Sequence, residues 1–144
     1  MQDAESATLR VVVFDLWDQR MGCMDVFIVD DHELIREGLK LLLEQETGIE
    51  VVGEATSAAE MWSRLDETAC NVIILDMHLP DASGFDLLGD LKTKYPHSAV
   101  VVLSMLPEGE YAPRATEAGA FAFVSKGTDS NILVETIKRA GTAS

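Results

Sequence analysis

Asp30 with Asp31, Asp76, Ser104 and Lys126 each stand at the end of a short apolar run, which is where an open α/β sheet presents polar groups to a ligand. Three carboxylates brought to one site repel one another unless a cation lies among them, and an all-oxygen set suits Mg2+ better than zinc or copper. A lysine and a hydroxyl facing such acids are the partners a phosphoryl oxygen needs, while a carboxylate beside Mg2+ can itself be the nucleophile. These residue types therefore point to phosphoryl transfer onto an aspartate.

Convergence of residues so far apart in the chain requires elements that bring them together. The runs Val26–Val29, Ile49–Val52, Val72–Leu75, Ala99–Leu103 and Phe121–Val124 are short and almost wholly apolar, predicting five strands of a parallel sheet covered on both faces. Between them, helical spacing puts Ile35, Leu39, Leu42 and Leu43 on one face, then Ala58, Met61, Trp62 and Leu65, then Leu88, Leu91 and Tyr95. The stretch from Glu108 to Ala118 has only Tyr111, Ala112, Ala115 and Ala118 on its apolar side, so the fourth helix is expected to be the most weakly anchored and the first to move. A last helix is expected from Ser130 to Ala140, with Leu133, Ile137 and Ala140 inward.

Local signals agree with that division. Gly48 and Gly119 fall where helices should end, Ser57 followed by Glu60 reads as a capping box, Pro80 shapes the loop after Asp76, and Gly84 gives the next helix room to start. The order βαβαβαβαβα with right-handed crossovers predicts an α/β protein: a flavodoxin-like, doubly wound (βα)5 three-layer sandwich whose five-stranded parallel sheet has the order 2-1-3-4-5. Residues 1–23 do not fit this scheme and read as an N-terminal extension, with Leu9–Trp17 able to form a short strand.

Taken together, the segments VFIVDDHELIREGL, NVIILDMHLPDASGFDLL, VVVLS and AGAFAFVSK resemble the receiver domain of two-component response regulators, over residues 24–141. The separations of 45 residues from Asp31 to Asp76, 28 to Ser104 and 22 more to Lys126 match that family within a residue or so. The resemblance implies that Asp76 is the phosphoacceptor, taking its phosphoryl group from the phosphohistidine of a sensor histidine kinase. It implies that Asp31, Asp76 and the backbone carbonyl of His78 ligate Mg2+, with Asp30 acting through water. Lys126 would pair with the phosphoryl oxygens, Ser104 would swing to hydrogen-bond them, and Phe123 would hold the place of the aromatic switch residue that turns inward when Ser104 moves. Without a hydroxyl, Phe123 reports the change by packing alone.

The Asp30-Asp31-His32 opening and the Lys126-Gly127 pair resemble the NarL/FixJ type, whose output is a LuxR-like helix-turn-helix. The chain has no room for that output domain, so it reads either as a stand-alone receiver or as a fragment cut at the linker. Two neighbouring positions bear on rates: Leu106 could slow hydrolysis of the aspartyl phosphate, whereas His78 could orient water and shorten its life. The surface expected to change is the helix at Glu108–Ala118, the strand before Ser125 and the helix after Ser130. A homodimer through that surface, or through the first and last helices, is compatible with this reading.

Other classes fit less well. A net charge of −14, still −11 without Asp30, Asp31 and Asp76, opposes direct nucleic-acid binding by this chain. Cys23 and Cys70 lack the spacing of a disulfide framework or zinc site, no apolar run reaches the roughly 18 residues a bilayer span needs, and Met1–Glu5 is acidic where a signal peptide is basic. A cytoplasmic protein without membrane contact is expected. Val11–Asp18 lacks the second acid of haloacid-dehalogenase-like phosphatases, Asp30 and Asp31 would repel a flavin phosphate, and His32, His78 and His97 read as surface or loop residues. The remaining alternative is an unphosphorylated receiver-like interaction module, against which the retention of mutually repulsive acids argues.

Overall fold

The computed structural model describes residues 23–143. All but the last residue of the expected 1–23 extension lies outside them, including the segment Leu9–Trp17.

Five parallel strands form one sheet: β1 (Met24–Val29), β2 (Ile49–Ala55), β3 (Val72–Leu75), β4 (Ala99–Ser104) and β5 (Ala122–Ser125), in the order β2-β1-β3-β4-β5. Alternation along each strand divides the core in two. Val26, Ile28, Val72, Ile74, Val101, Leu103 and Val124 face α1 (Glu33–Glu44) and α5 (Ser130–Ala143), which supply Leu39, Leu43, Leu133 and Ile137. Phe27, Val29, Ile73, Leu75, Val100, Val102 and Phe123 face α2 (Ala58–Leu65), α3 (Gly84–Lys94) and α4 (Glu108–Ala118). The flavodoxin-like sandwich and its strand order are as the apolar runs predict.

Several details differ from the sequence expectation. The first helix ends at Glu44 with Gln45 as its cap, so Gly48, at φ +87°, turns the chain into β2 rather than closing the helix. Gly119 does cap α4, at φ +120°, a backbone angle that favours glycine. Phe121 precedes β5 and stays 39% exposed, Tyr95 lies just past α3, and Trp62 is half-buried and stacks on Tyr95. The last helix runs on to Ala143.

Helix α4 is thinly anchored, as its sparse apolar face predicts: Ala115 is its one buried residue. Pro113 adds a weakness that apolar spacing does not register, since it has no N–H to give the Gly109 carbonyl one turn earlier.

Candidate functional site

The parallel ladder runs one residue past the strands and thereby fixes the polar residues that follow. The Asp30 N–H donates to Ala55 O at 3.1 Å, the Asp76 N–H to Val29 O at 2.9 Å and the Lys126 N–H to Ser104 O at 2.8 Å. Because Val29 is in register with Leu75, and Leu75 with Val102, Asp30 and Asp76 emerge side by side at the C-terminal edge of the sheet. Ser104 pairs with Ser125 on the neighbouring strands, which carries Lys126 to the same edge. Arg36 of α1 steadies the first of these turns by donating to the Asp30 carbonyl at 2.8 Å, while its own guanidinium is paired with Glu54.

The acids are unequally buried. Asp30 and Asp76 are 2% and 3% exposed, whereas the Asp31 side chain remains open to solvent. The Lys126 ammonium, on a side chain only 7% exposed, lies 3.1 Å from Asp30 Oδ2 and 3.6 Å from Asp76 Oδ1. Asp76 Oδ1 also accepts the His78 N–H at 3.3 Å, while Asp76 Oδ2 is buried without a hydrogen-bond partner. Burial first, and the Asp30 charge second, push the Asp76 carboxyl above the usual carboxylate range; Lys126, the His78 N–H and His32 hold it back. A buried, unpartnered carboxylate oxygen beside two other acids is a costly arrangement that a cation relieves. The donor set thus fits a divalent ion: one oxygen each from Asp30, Asp31 and Asp76, together with a ring nitrogen of His32, lie within 4.8 Å of one another.

His32 is the site residue the sequence reading leaves out. It is a surface residue, like His78 and His97, yet its Nδ1 lies 2.6 Å from Asp30 Oδ1, 3.2 Å from Asp31 Oδ1 and 3.8 Å from Asp76 Oδ2. Its place directly after the double acid was the available signal.

Ser104 is fully buried and its Oγ accepts the Leu106 N–H at 3.0 Å. Phe123 is 7% exposed, already packed in the core that includes Ala115 of α4. The segment after Asp76 folds into a small antiparallel hairpin, His78–Leu79 against Ala82–Ser83, which presents the His78 backbone next to Asp76. Two contacts hold this hairpin. Asp81 accepts the Ala58 and Ala59 N–H groups with its two oxygens, at 2.8 and 3.0 Å, and the Gly84 N–H closes back on the Met77 carbonyl at 2.9 Å. The predicted cap at Ser57 is present as well, its Oγ accepting the Glu60 N–H, although the Glu60 carboxylate reaches Thr56 rather than Ser57.

Comparison with known proteins agrees with this arrangement. Residues 26–138 match the family described as response regulator receiver domain. The chain is 37% identical over 116 residues to the DNA-binding transcriptional activator DevR/DosR of Mycobacterium tuberculosis, covering 81% of this chain and 54% of that protein. It is 31% identical over 113 residues to the response regulator GacA of Pseudomonas protegens, covering 78% and 53%. The chain therefore spans about half the length of the curated relatives it matches. Among solved structures, it resembles a LuxR-family two-component response regulator from Aurantimonas, with a TM-score of 0.78, 29% identity and coverage of 84% and 86%. A response regulator receiver domain protein from Clostridium thermocellum matches with a TM-score of 0.74 and 31% identity, over 83% of this chain and 95% of that one.

Proposed function

Since this chain belongs to the response regulator receiver domain family of two-component signalling, we propose that it accepts a phosphoryl group on Asp76 from the phosphohistidine of a sensor histidine kinase, and that it does so with Mg2+. The observation that carries this reading is the buried, unpartnered Oδ2 of Asp76, set beside Lys126 and two further acids. A carboxylate in that setting is stripped of solvent and held in place, as a nucleophile must be.

In the transfer, an Asp76 oxygen forms a new bond to phosphorus while the phosphohistidine N–P bond breaks. The electron pair returns to the donor imidazole, which takes up a proton from solvent. Lys126 neutralises charge on the phosphoryl oxygens, moving its ammonium from Asp30 toward them. In this proposal Asp31, Asp76 and the His78 carbonyl would hold the metal directly, with Asp30 acting through water. Bound Mg2+ would offset the charge gathered between the acids and the phosphoryl oxygens.

Ser104 gives its hydroxyl to a phosphoryl oxygen by releasing the Leu106 N–H. That movement reaches Phe123 and, through Ala115, the thinly anchored α4, so activation is a population shift within the fold. The surface that changes comprises α4, β5 and α5, and its readout in the longer relatives' manner would be transcription control. No helix among the described residues is long and apolar enough to cross a membrane, and a cytoplasmic location accords with a kinase partner of this type.

Intact mass after incubation with Mg2+ and acetyl phosphate tests the proposal. A phosphoryl-sized gain that is absent in Asp76→Asn and abolished by chelator is the expected result. No gain despite measured Mg2+ binding would instead favour an unphosphorylated interaction module.

A further inference from the structure

His32 adds to the acidic site a donor of a different kind. Its backbone is the extended residue preceding α1, and its side chain makes no capping hydrogen bond to that helix. The ring instead turns into the cluster of acids, while the side chain as a whole remains 58% exposed. An octahedral ion with bonds of ~2.1 Å separates adjacent donors by about 3.0 Å and opposite donors by about 4.2 Å. Nδ1 lies 3.2 Å from Asp31 Oδ1 and 3.8 Å from the unpartnered Asp76 Oδ2, within that span for both.

Asp30 is differently placed. Its Oδ2 is held by Lys126, and its Oδ1 accepts the His32 backbone N–H at 2.8 Å as well as meeting the ring nitrogen. Turning Nδ1 from Asp30 to a cation requires the neutral tautomer with its proton on Nε2, which frees the Nδ1 lone pair, and it leaves Asp30 with the backbone and lysine bonds, so no acid is orphaned by the change.

We propose that His32 Nδ1 is itself a ligand of the divalent cation held by Asp31 and Asp76, and that it biases the site toward first-row ions that accept nitrogen, such as Mn2+ and Ni2+, relative to Mg2+. Hard Mg2+ gains little from an imidazole in place of water, whereas affinity for a mixed nitrogen and oxygen set rises along the series from Mn2+ to Ni2+. The inference rests on the phosphoacceptor reading only in placing the cation among these acids.

Pulsed electron paramagnetic resonance of the full chain loaded with Mn2+ reads the ligand directly. The expected spectrum shows ¹⁴N coupling that is lost in His32→Ala and kept in His78→Ala. In calorimetric titrations, His32→Ala should weaken Ni2+ binding by about tenfold or more and Mg2+ binding by less than about threefold. Bound Mn2+ without nitrogen coupling, coupling that survives His32→Ala, or equal losses for both ions would each overturn the inference. Acetyl phosphate labelling of the same wild-type sample separates the two ideas: labelling of Asp76 without nitrogen coupling overturns the role of His32 alone, whereas absence of labelling with every ion overturns the phosphoacceptor reading.

Discussion

Asp81 clasps the first turn of α2, its Oδ1 accepting the Ala58 N–H at 2.8 Å and its Oδ2 the Ala59 N–H at 3.0 Å. A carboxylate at a helix N-terminus satisfies two otherwise unpaired donors and meets the positive end of the helix dipole, which holds the Asp81 carboxyl below the usual carboxylate range. The hairpin that follows Asp76 is therefore tied to α2, the helix that follows β2.

Asp81→Ala should lower the melting temperature by a few degrees. The sign with pH is set by the depressed Asp81 group: its contribution is present above the ordinary carboxylate range and disappears as acid protonates it. Melts of variant and parent should thus converge toward low pH, and a difference that stays constant would show that the cap is not the cause.

Gly84 is required by close packing. A methyl group there would lie 2.5 Å from the Met77 sulfur and 2.8 Å from the Met77 Cα. Because that backbone belongs to the residue after Asp76, it cannot simply rotate away. Gly84→Ala should cost about 1–3 kcal/mol in denaturant unfolding and slow acetyl phosphate labelling, whereas Gly89→Ala, at an open position on the same helix, should do neither.

Lys126→Ala removes the ammonium that lies 3.1 Å from Asp30 and 3.6 Å from Asp76. Leaving Asp30 and Asp76 uncompensated should destabilise the chelated protein by roughly 3 kcal/mol. Added divalent cation should restore part of that loss, and labelling should fall by at least tenfold; unchanged stability in chelator would mean the pair is already solvated.

The Asp76 carboxyl, raised by burial and by Asp30, carries the opposite sign to Asp81. Stability is fully present while Asp76 is protonated, below its unfolded range, and is lost as pH rises through its raised folded range. In chelator, Asp76→Asn should therefore melt above the parent at neutral pH, with the gap closing toward pH 4 and shrinking when Mg2+ is added. A variant that melts below the parent throughout would contradict this.

Leu106 is half-buried against the core beside Ser104, where its bulk can screen an aspartyl phosphate from water. Leu106→Ala should shorten the phosphoryl lifetime severalfold. Equal lifetimes would leave His78, exposed on the hairpin, as the residue to vary next.

Much of the molecule was legible from local pattern. Strand alternation, the apolar helix faces and the polar residues at strand ends depend on periods of two and 3.6 residues, and these yield the five strands, the two core layers and the edge where Asp30, Asp76 and Lys126 meet and β4 ends in Ser104. The weakness of α4 was equally visible, as one thin alanine-rich face. Only the tertiary structure decided which polar groups touch. That Asp81 caps α2, that Gly84 sits against Met77, and that the His32 ring turns toward the acids rather than solvent are relations set by where loops land and which rotamers they leave open, and no periodicity encodes them. Nor could composition distinguish the acids: Asp30 and Asp76 are buried and Asp31 is open because the sheet edge covers the first two, so the electrostatics of the site follow from packing rather than from residue type.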